Sequence, residues 1–315
     1  MEGILNYKTP SVSHVSKSAL GTLNLCRDLS LTNRKNHEHT TRKGVPLVYH
    51  TKVTVYRTQS TDTDEEQKLF FYTVPQNWVY RNAAVKLHYA REAMMRNNGI
   101  TKSERGRYDH TIRYGWDNTD MTDGHDGWLD PVDWDGNAYV QGTWDTTELF
   151  LADGTEIGVT LHGGIADNLE DTSDASGQRS LASMYLQSRN LIREDDSDDT
   201  DLEGDGAEDE FPAEFSIIRQ LFGGNEPARD DVLESVQTSQ DNPPYDVDDL
   251  TEDASFISPV EQGRSITGLQ SNVKDVLYLD VPFGIMDLKG IIANASASRV
   301  IDFQVEVLGV SEMQG

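Results

Sequence analysis

The stretch that decides the fold reads NVKDVLYLDVPFGIMDLKGIIANASASRVIDFQVEVLGV and runs from residue 272 to residue 310. In 301–307, apolar residues stand at every odd position and polar residues at every even one. This is the period of a β-strand with one buried and one solvated face. The runs 273–281 and 285–292 are rich in apolar residues and are separated by Pro282 and Gly284, and we expect both to be strands. Long strands with no helix between them argue against a βαβ protein and for a sandwich or barrel.

Further strands and two helices are predicted upstream of this stretch. Residues 45–58 and 68–74 have the composition and spacing of strands, and 137–152 with 155–162 form a hairpin pattern around Asp153-Gly154. A first helix is expected over about 78–97, with Asn77 as its N-cap, and a second over about 178–192. The chain is therefore predicted to be an all-β sandwich whose helices are carried on loops.

The domain organisation follows from composition. Residues 1–44 lack periodicity and are predicted to form a basic N-terminal arm, while 45–315 form one domain with long acidic loops at about 116–136 and 194–255. The single cysteine, Cys26, excludes an intrachain disulfide and a cysteine-based metal cluster, and we interpret it as a packing residue. No run of about 18 apolar residues and no signal-peptide pattern is present, so we expect a soluble chain with no membrane span.

Charge is distributed unevenly along the chain. The formal net charge of the whole chain is −27, but residues 1–115 carry +8 and residues 116–315 carry −35. A basic part and an acidic part allow one face to contact a polyanion while the other stays solvated. The alternative for the acidic part is plain solubility or adaptation to high salt.

A mixture of cations and aromatic residues indicates nucleic-acid contact. Residues 101–116 interleave Lys and Arg with Tyr108, Tyr114 and Trp116. Cations neutralise phosphates and aromatic rings stack on unpaired bases, so such a mixture holds single strands without reading their sequence. The alternative is a solvated helix face followed by an ordinary strand. The predicted nucleic-acid-binding residues are Arg34, Lys35, Arg42, Lys43, Arg81, Lys102, Arg105, Arg107 and Arg113.

Metal and sugar sites have weaker signals. Residues 116–144 hold four of the five tryptophans among Asp and Gly, a mixture that suits a sugar platform, a cation site, or a loop pinned to the core. Four acidic residues match positions 1, 3, 5 and 12 of a calcium-binding EF-hand loop, although Gly206 and Pro212 break its pattern. These calcium candidates are Asp199, Asp201, Glu203 and Glu210. His37 and His39 are the nearest approach to a metal-ligand pair, and no metal site or cofactor is predicted.

Catalytic signatures are missing from the sequence. It contains no glycine-rich phosphate loop, nucleophile elbow or HExxH motif, and no carboxylate pair stands out as the centre of a glycoside hydrolase. A β protein with long loops and a two-sided charge more often binds or assembles than catalyses. We therefore expect a protein that is not an enzyme.

The carboxy-terminal residues resemble a known family. Asp275–Leu288 and Val300–Gly309 are similar to the last strands of jelly-roll capsid proteins from small single-stranded DNA viruses. The chain length, the eight or so candidate strands, the helical insertion and the cationic amino-terminal part also look like that family. The resemblance implies a jelly-roll β-sandwich, with a double jelly roll as the architectural alternative.

The resemblance also implies a function. It predicts a coat protein that associates with itself into an icosahedral shell around a nucleic-acid genome, which the resemblance implies is single-stranded DNA. The location would be the virion, after synthesis in the host cytoplasm or nucleus. Residues 1–60 carry nine Lys and Arg against three Asp and Glu, a thinner charge than the family's arginine-rich arms. Two roles therefore stay open for the arm, genome packaging and ordering at subunit contacts. Two alternative functions stay open: a carbohydrate- or calcium-binding β-sandwich module, and a glycoside hydrolase built on a β-sandwich with an Asp/Glu pair, for which the sequence indicates no particular pair.

Overall fold

The fold is an arrangement of eleven strands and three helices over the residues that the structure describes. The computed structural model describes residues 3–13, 16–56, 66–101, 103–106, 110–116, 127–139, 144, 146–150, 156–162, 178–188, 259–267, 274–293 and 299–314. The elements in chain order are β1 (Gly3–Lys8), β2 (Ser18–Asn24), α1 (Leu25–Asn33), β3 (Leu47–Tyr56), β4 (Glu66–Thr73), α2 (Trp78–Asn97), β5 (Glu148–Phe150), β6 (Glu156–Thr160), β7 (Gln178–Ser180), α3 (Leu181–Gln187), β8 (Val260–Thr267), β9 (Lys274–Pro282), β10 (Ile285–Ala293) and β11 (Asp302–Glu312).

Two antiparallel sheets of four strands form the body of the molecule. One has the order β1-β11-β3-β9, and the other has the order β2-β10-β4-β8. Apolar side chains from both sheets share one buried cluster, as expected for two sheets packed face to face. The predicted all-β sandwich is confirmed at this level.

The apolar side chains of the closing strand, β11, fill this core with the alternation that the sequence predicts. Phe303, Val305 and Val307 of β11 are buried, and Phe303 stacks on Tyr7 of β1 with ring centroids 5.2 Å apart. Phe71 of β4, in the opposite sheet, meets Phe303 edge-on at 6.3 Å. Burying a side chain of this size contributes about 1.5–3 kcal/mol each, so this row anchors the two sheets to each other.

Helix α2 begins and ends where the sequence predicts. The side chain of Asn77 accepts a hydrogen bond from the Tyr80 N–H at 3.1 Å, and the N–H of Asn98 donates to the Met94 carbonyl at 3.1 Å. The stripe of Val79, Ala83, Leu87 and Ala90 is buried, which leaves the opposite side of the helix to solvent.

The segment between β4 and β8 builds a second hydrophobic cluster. It contributes α2, α3 and a small sheet of order β5-β6-β7, and it packs on strand ends at Val48, Phe283, Ile285 and Met313. The predicted hairpin is present but shorter, with β5 and β6 paired antiparallel over three residues. Residues 178–180 were expected to begin a helix, yet they pair as a parallel strand with β6, so α3 starts only at Leu181.

The amino-terminal residues differ from the predicted arm. Residues 3–8 and 18–24 are strands, one in each main sheet, and residues 25–33 are helix α1. Leu5 and Tyr7 are buried against β11. The apolar residues of β1 and β2 stand among Lys, Ser and Thr in runs of six and seven residues, too short for periodicity alone to reveal them.

The interpretation of Cys26 as a packing residue is confirmed. Its thiol is fully buried, and burial raises the pKa of Cys26 far above its ordinary value, which suppresses the reactive thiolate. In the described part of the chain, no helix is both long enough and apolar enough to cross a membrane. The predicted acidic loops lie largely outside the described residues, apart from 127–136 and residue 116 itself.

Candidate nucleic-acid interface

A cationic cleft of about 380 Å³ lies beside the exposed face of α2. It combines four Lys or Arg side chains and two histidines with one carboxylate, in a chain whose net charge is −27. The lining residues are Arg42, Lys43, His88, Tyr89, Glu92, Arg96, Arg105 and His110.

One wall of the cleft is helix α2. His88, Glu92 and Arg96 are spaced by four residues, which places them along one face of the helix. The ring of Tyr89 is 54% exposed and lies edge-on to the His88 ring, with centroids 5.8 Å apart. The wall therefore offers a cation, a carboxylate and an accessible aromatic surface.

A second wall of the cleft is the turn that carries Arg42 and Lys43. The hydroxyl of Thr41 accepts from the N–H of Lys43 at 3.3 Å and from the N–H of Val45 at 3.2 Å. Gly44 has a φ of +81°, and a Cβ at this position would lie 2.5 Å from the Cβ of His88. Only glycine allows the turn to approach α2 this closely.

Replacing Gly44 with alanine is expected to displace this turn. The free energy of unfolding should fall by about 1–2 kcal/mol for the left-handed conformation, and by at least about 1 kcal/mol more for the contact with His88. Gly99→Ala is the matched control, because Gly99 also has a positive φ, +73°, but no atom within 4 Å of an added Cβ. Urea denaturation of both variants measures the difference, and equal losses would show that the close approach carries no cost.

An ion pair ties the third segment of the cleft to α2. Both terminal nitrogens of the Arg105 guanidinium contact the Glu92 carboxylate, with Nη2 to Oε2 at 3.1 Å, and the Arg105 side chain is only 7% exposed. Burial lowers the pKa of His88 below its ordinary value, Arg91 and Arg105 lower it further, and Glu92 opposes them. This lowering favours the neutral form of His88, and the fixed positive charges of the cleft are those of its Lys and Arg side chains.

The chemistry of the cleft suits a phosphate backbone with unpaired bases. Within the described part of the chain, no ion pair involves Arg42, Lys43 or Arg96. Their charges are thus available to phosphates, and the exposed ring of Tyr89 is available for stacking. Cations beside an exposed aromatic ring are typical of sites that bind single strands with little sequence preference.

The structure brings together three of the nine predicted nucleic-acid-binding residues. Arg42, Lys43 and Arg105 line the cleft. Arg34 and Lys35 are exposed at the carboxy-terminal end of α1 and do not line it. The predicted set therefore divides into a clustered group and scattered surface cations.

Two other predicted residues have local packing partners. The Nε of Arg81 donates to the Met313 carbonyl at 3.3 Å, and the Arg113 guanidinium lies over the Trp144 ring at 5.1 Å. These contacts hold α2 to the end of β11 and fix the segment before β5. Lys102 and Arg107 lie outside the described residues.

The prediction omitted several lining residues. Arg96, His88, Tyr89 and His110 are absent from the predicted set although they face the cleft. Reading α2 at a spacing of four from His88 would have placed Glu92 and Arg96 on one face. His110 carries no such signal, since only the folded chain brings its segment beside α2.

The tryptophan-rich segment divides between packing and exposure. Trp116 and Trp128 are buried, and Trp128 meets Trp144 edge-on at 5.3 Å, as expected for a loop pinned to the core. The Trp134 side chain, in contrast, is 91% exposed. The sequence could not distinguish these environments, because all of these tryptophans stand among similar Asp and Gly residues.

The metal candidates are placed as follows. The four calcium candidates, 199, 201, 203 and 210, lie outside the described residues. His39 is buried, its Nδ1–H donates to the Phe283 carbonyl at 2.6 Å, and burial lowers the pKa of His39 to about 4. Among the described residues, no group of three or more His, Cys, Asp or Glu could hold a metal ion.

Comparison with known proteins adds no relative. No family model, curated protein or solved structure matches this chain. Function is therefore inferred from the strand order of the sandwich, from its exposed surfaces and from the cationic cleft.

Proposed function

We propose that this chain is a shell-forming coat protein built on a single jelly roll. The supporting observation is the strand order. Counted along the chain, the eight sandwich strands are β1, β2, β3, β4, β8, β9, β10 and β11, so one sheet holds the first, eighth, third and sixth, and the other the second, seventh, fourth and fifth. This order agrees with the two interleaved Greek keys of a jelly roll, an architecture that viral capsid domains share with lectins and cupins.

A single jelly roll agrees better with these strands than a double one. The eight sandwich strands draw on both ends of the chain, from Gly3 to Glu312, and share one buried cluster. The inserted sheet has strands of three, five and three residues, too short to form a second sandwich of this kind.

The same architecture serves many functions, so the jelly roll alone does not indicate self-assembly. Support for self-assembly comes from exposed apolar residues on the surface of the sandwich. Tyr56 of β3 and Val276 and Tyr278 of β9 are 39%, 38% and 71% exposed. The β3–β9 register places them on neighbouring positions of one sheet. An exposed apolar group of this kind is typical of a protein–protein contact.

The cationic cleft supports a nucleic-acid partner for the same protein. It is a local concentration of positive charge on a strongly acidic molecule, and it carries an exposed ring. Because charges in solution act over about 10 Å at 0.1 M salt, we expect the cations of the cleft to dominate the field that a nearby strand meets, despite the negative net charge of the chain. We propose single-stranded DNA of the enclosed genome as its ligand.

Salt is expected to promote assembly of nucleic-acid-free protein. Copies of net charge −27 repel one another, and the screening length falls from about 10 Å at 0.1 M to about 3 Å at 1 M. Negative-stain electron microscopy over a salt series should show closed particles of uniform diameter that become more abundant as salt rises. Absorbance at 260 and 280 nm on the same fractions reports bound nucleic acid. Monomers at every salt concentration, or assembly that weakens steadily with salt, would contradict the proposal.

A carbohydrate-binding module is the second candidate, and Trp134 favours it. The ring is 91% exposed on a turn held by Asp133, whose carboxylate accepts from the Asn137 N–H at 2.8 Å. An exposed tryptophan ring beside carboxylates suits a sugar platform, because the ring is a flat apolar surface and the carboxylates accept hydrogen bonds from hydroxyl groups. A glycan array probed with the chain and with Trp134→Ala separates the two candidates, since a shell protein without sugar affinity gives no signal that depends on Trp134.

A further inference from the structure

Among the described strands, β9 is paired with β3 alone and so forms one edge of the sheet β1-β11-β3-β9, with Ile266 of β8 in the other sheet lying near its first residues. Its outward-facing residues are Lys274, Val276, Tyr278 and Asp280, each of which is exposed. The opposite edge of the same sheet, β1, is covered in part by a bridge from Asn6 to Val132. An edge strand with free backbone groups is a template for pairing with another strand.

The backbone of β9 indicates which groups face the open edge. The N–H of Val276 donates to Oδ1 of Asp275 at 2.9 Å, and Oδ2 of the same carboxylate accepts from the N–H of Ile266 in β8 at 3.0 Å. A side chain thus takes up an amide that β3 leaves unused. Because backbone groups alternate along a strand, those of Tyr278 and Asp280 face the same edge as those of Val276.

We propose that two copies of this chain pair through β9, antiparallel, about a two-fold axis at Leu277. This register joins two four-stranded sheets into one of eight strands. Val276 then lies opposite Tyr278 of the second copy, and Lys274 lies opposite Asp280 of the second copy. The inference concerns the oligomeric state and does not rest on the proposed shell function.

The register is self-complementary on the exposed face. A two-fold axis pairs β9 of one copy with β9 of the other, so each residue of this strand must be compatible with another residue of the same strand. Here one pair is apolar and the other has opposite charges, and both kinds of cross-strand pair are stabilising. Each pair occurs twice in the dimer. The Tyr278 carbonyl of the second copy replaces the Asp275 carboxylate as acceptor for the Val276 N–H.

The charged groups around the pair are compatible with it. Asp280 also contacts Nδ1 of His50 in its own chain at 2.6 Å, so the lysine of the second copy would share this carboxylate. Lys52, opposite Tyr278 on β3, is paired with Glu306 at 2.9 Å. The local contacts thereby offset the long-range repulsion between two acidic chains.

Exchanging the two charges tests this register. Lys274→Glu and Asp280→Lys are each expected to weaken dimerisation about tenfold, because each creates two pairs of like charges. The double variant with both substitutions should return to within about threefold of wild type. Positions 274 and 280 are roughly 20 Å apart along one strand, so such a rescue can arise only between copies.

Sedimentation velocity of the full chain over a concentration series measures these affinities, with circular dichroism as the check on folding. A wild-type chain that stays monomeric, or a double variant that dimerises no better than the single variants, would overturn the proposal.

Crosslinking provides a second measurement. Leu277→Cys is expected to form a dimer-specific disulfide under mild oxidation because the two cysteines meet at the axis. Lys68→Cys, on the other sheet, is the control and should form no disulfide-linked dimer. Equal crosslinking of both variants would also overturn the proposed axis.

Discussion

The Asp28→Ala variant is expected to unfold with a free energy about 3–5 kcal/mol below that of wild type. The Asp28 carboxylate is fully buried, with Oδ1 2.7 Å from Nε of Arg27 and Oδ2 accepting from the Tyr7 hydroxyl at 2.6 Å. Alanine removes both acceptors and leaves a guanidinium that is only 3% exposed. Arg27 would keep Asp130 at 3.1 Å and the Leu129 carbonyl at 2.7 Å, so part of its charge stays compensated.

Asp28→Asn is the control for this variant. Its amide oxygen still accepts one hydrogen bond, so it should lose clearly less stability than the alanine variant. Urea denaturation monitored by tryptophan fluorescence measures both losses. An alanine variant within about 1 kcal/mol of wild type would show that this buried group does not hold α1, β1 and the loop after Gly127 together.

The same carboxylate makes stability depend on pH. Burial raises the pKa of Asp28 to about 6, although Arg27 and the Tyr7 hydrogen bond oppose the rise. A raised pKa means that the folded state binds the Asp28 proton more tightly than the unfolded state does. The stabilisation that this proton gives the folded state is full below about pH 4 and is lost as pH rises through 6. Between pH 5 and 7, the free energy of unfolding of wild type should therefore fall by about 1 kcal/mol more than that of Asp28→Asn. Parallel pH profiles of the two proteins would contradict this assignment.

A large loss of oligonucleotide affinity is expected when two cations of the cationic cleft are removed. Lys43→Ala combined with Arg96→Ala should weaken binding of a labelled thymidine oligonucleotide by about tenfold or more at low salt. Both side chains line the cleft, and each lost phosphate contact reduces the slope of log affinity against log salt by about 0.7. The slope should therefore fall by about 1.4 in fluorescence anisotropy titrations.

The matched control is Arg34→Ala combined with Lys35→Ala. It removes the same two residue types and the same charge from an exposed surface outside the cleft. We expect less than about a twofold effect, since screening at moderate salt isolates distant charges. Equal losses in the two variants would mean that oligonucleotides bind through general charge and not at the cleft.

Base stacking at Tyr89 is separable from phosphate binding. The ring is exposed within the cleft, so Tyr89→Ala should weaken binding without changing the salt slope, whereas Tyr89→Phe should retain most of the affinity. A loss in both variants would instead assign the role to the hydroxyl group.

Several elements could be predicted from the sequence because their signals are local. The alternation in 301–307, the apolar stripe of α2 and its Asn77 cap each depend on residues a few positions apart, and each has the expected structure. Periodicity reports which face of one element is buried. The same dependence on local signals explains why the sequence predicts an arm where the structure has the short strands β1 and β2.

The candidate site was only partly predictable. Arg42 and Lys43 precede Arg105 by about sixty residues in the sequence, and they share a cleft because Gly44 lets their turn rest on His88. Nothing in the local pattern distinguishes them from Arg34 and Lys35, which are equally cationic. Their grouping depends on a contact between α2 and a turn that only the folded chain brings together.

The sequence alone therefore determined that this protein is β-rich, that its closing strand has one buried face, and that α2 lies between Asn77 and Asn98. Only the tertiary structure decided that β9, β10 and β11, consecutive in the chain, alternate between the two sheets. It also decided that β11 pairs with β1 and β3, far away in sequence. The reason is physical. Strand period is set by neighbouring side chains, whereas strand pairing is set by which apolar faces of the whole chain can be buried together.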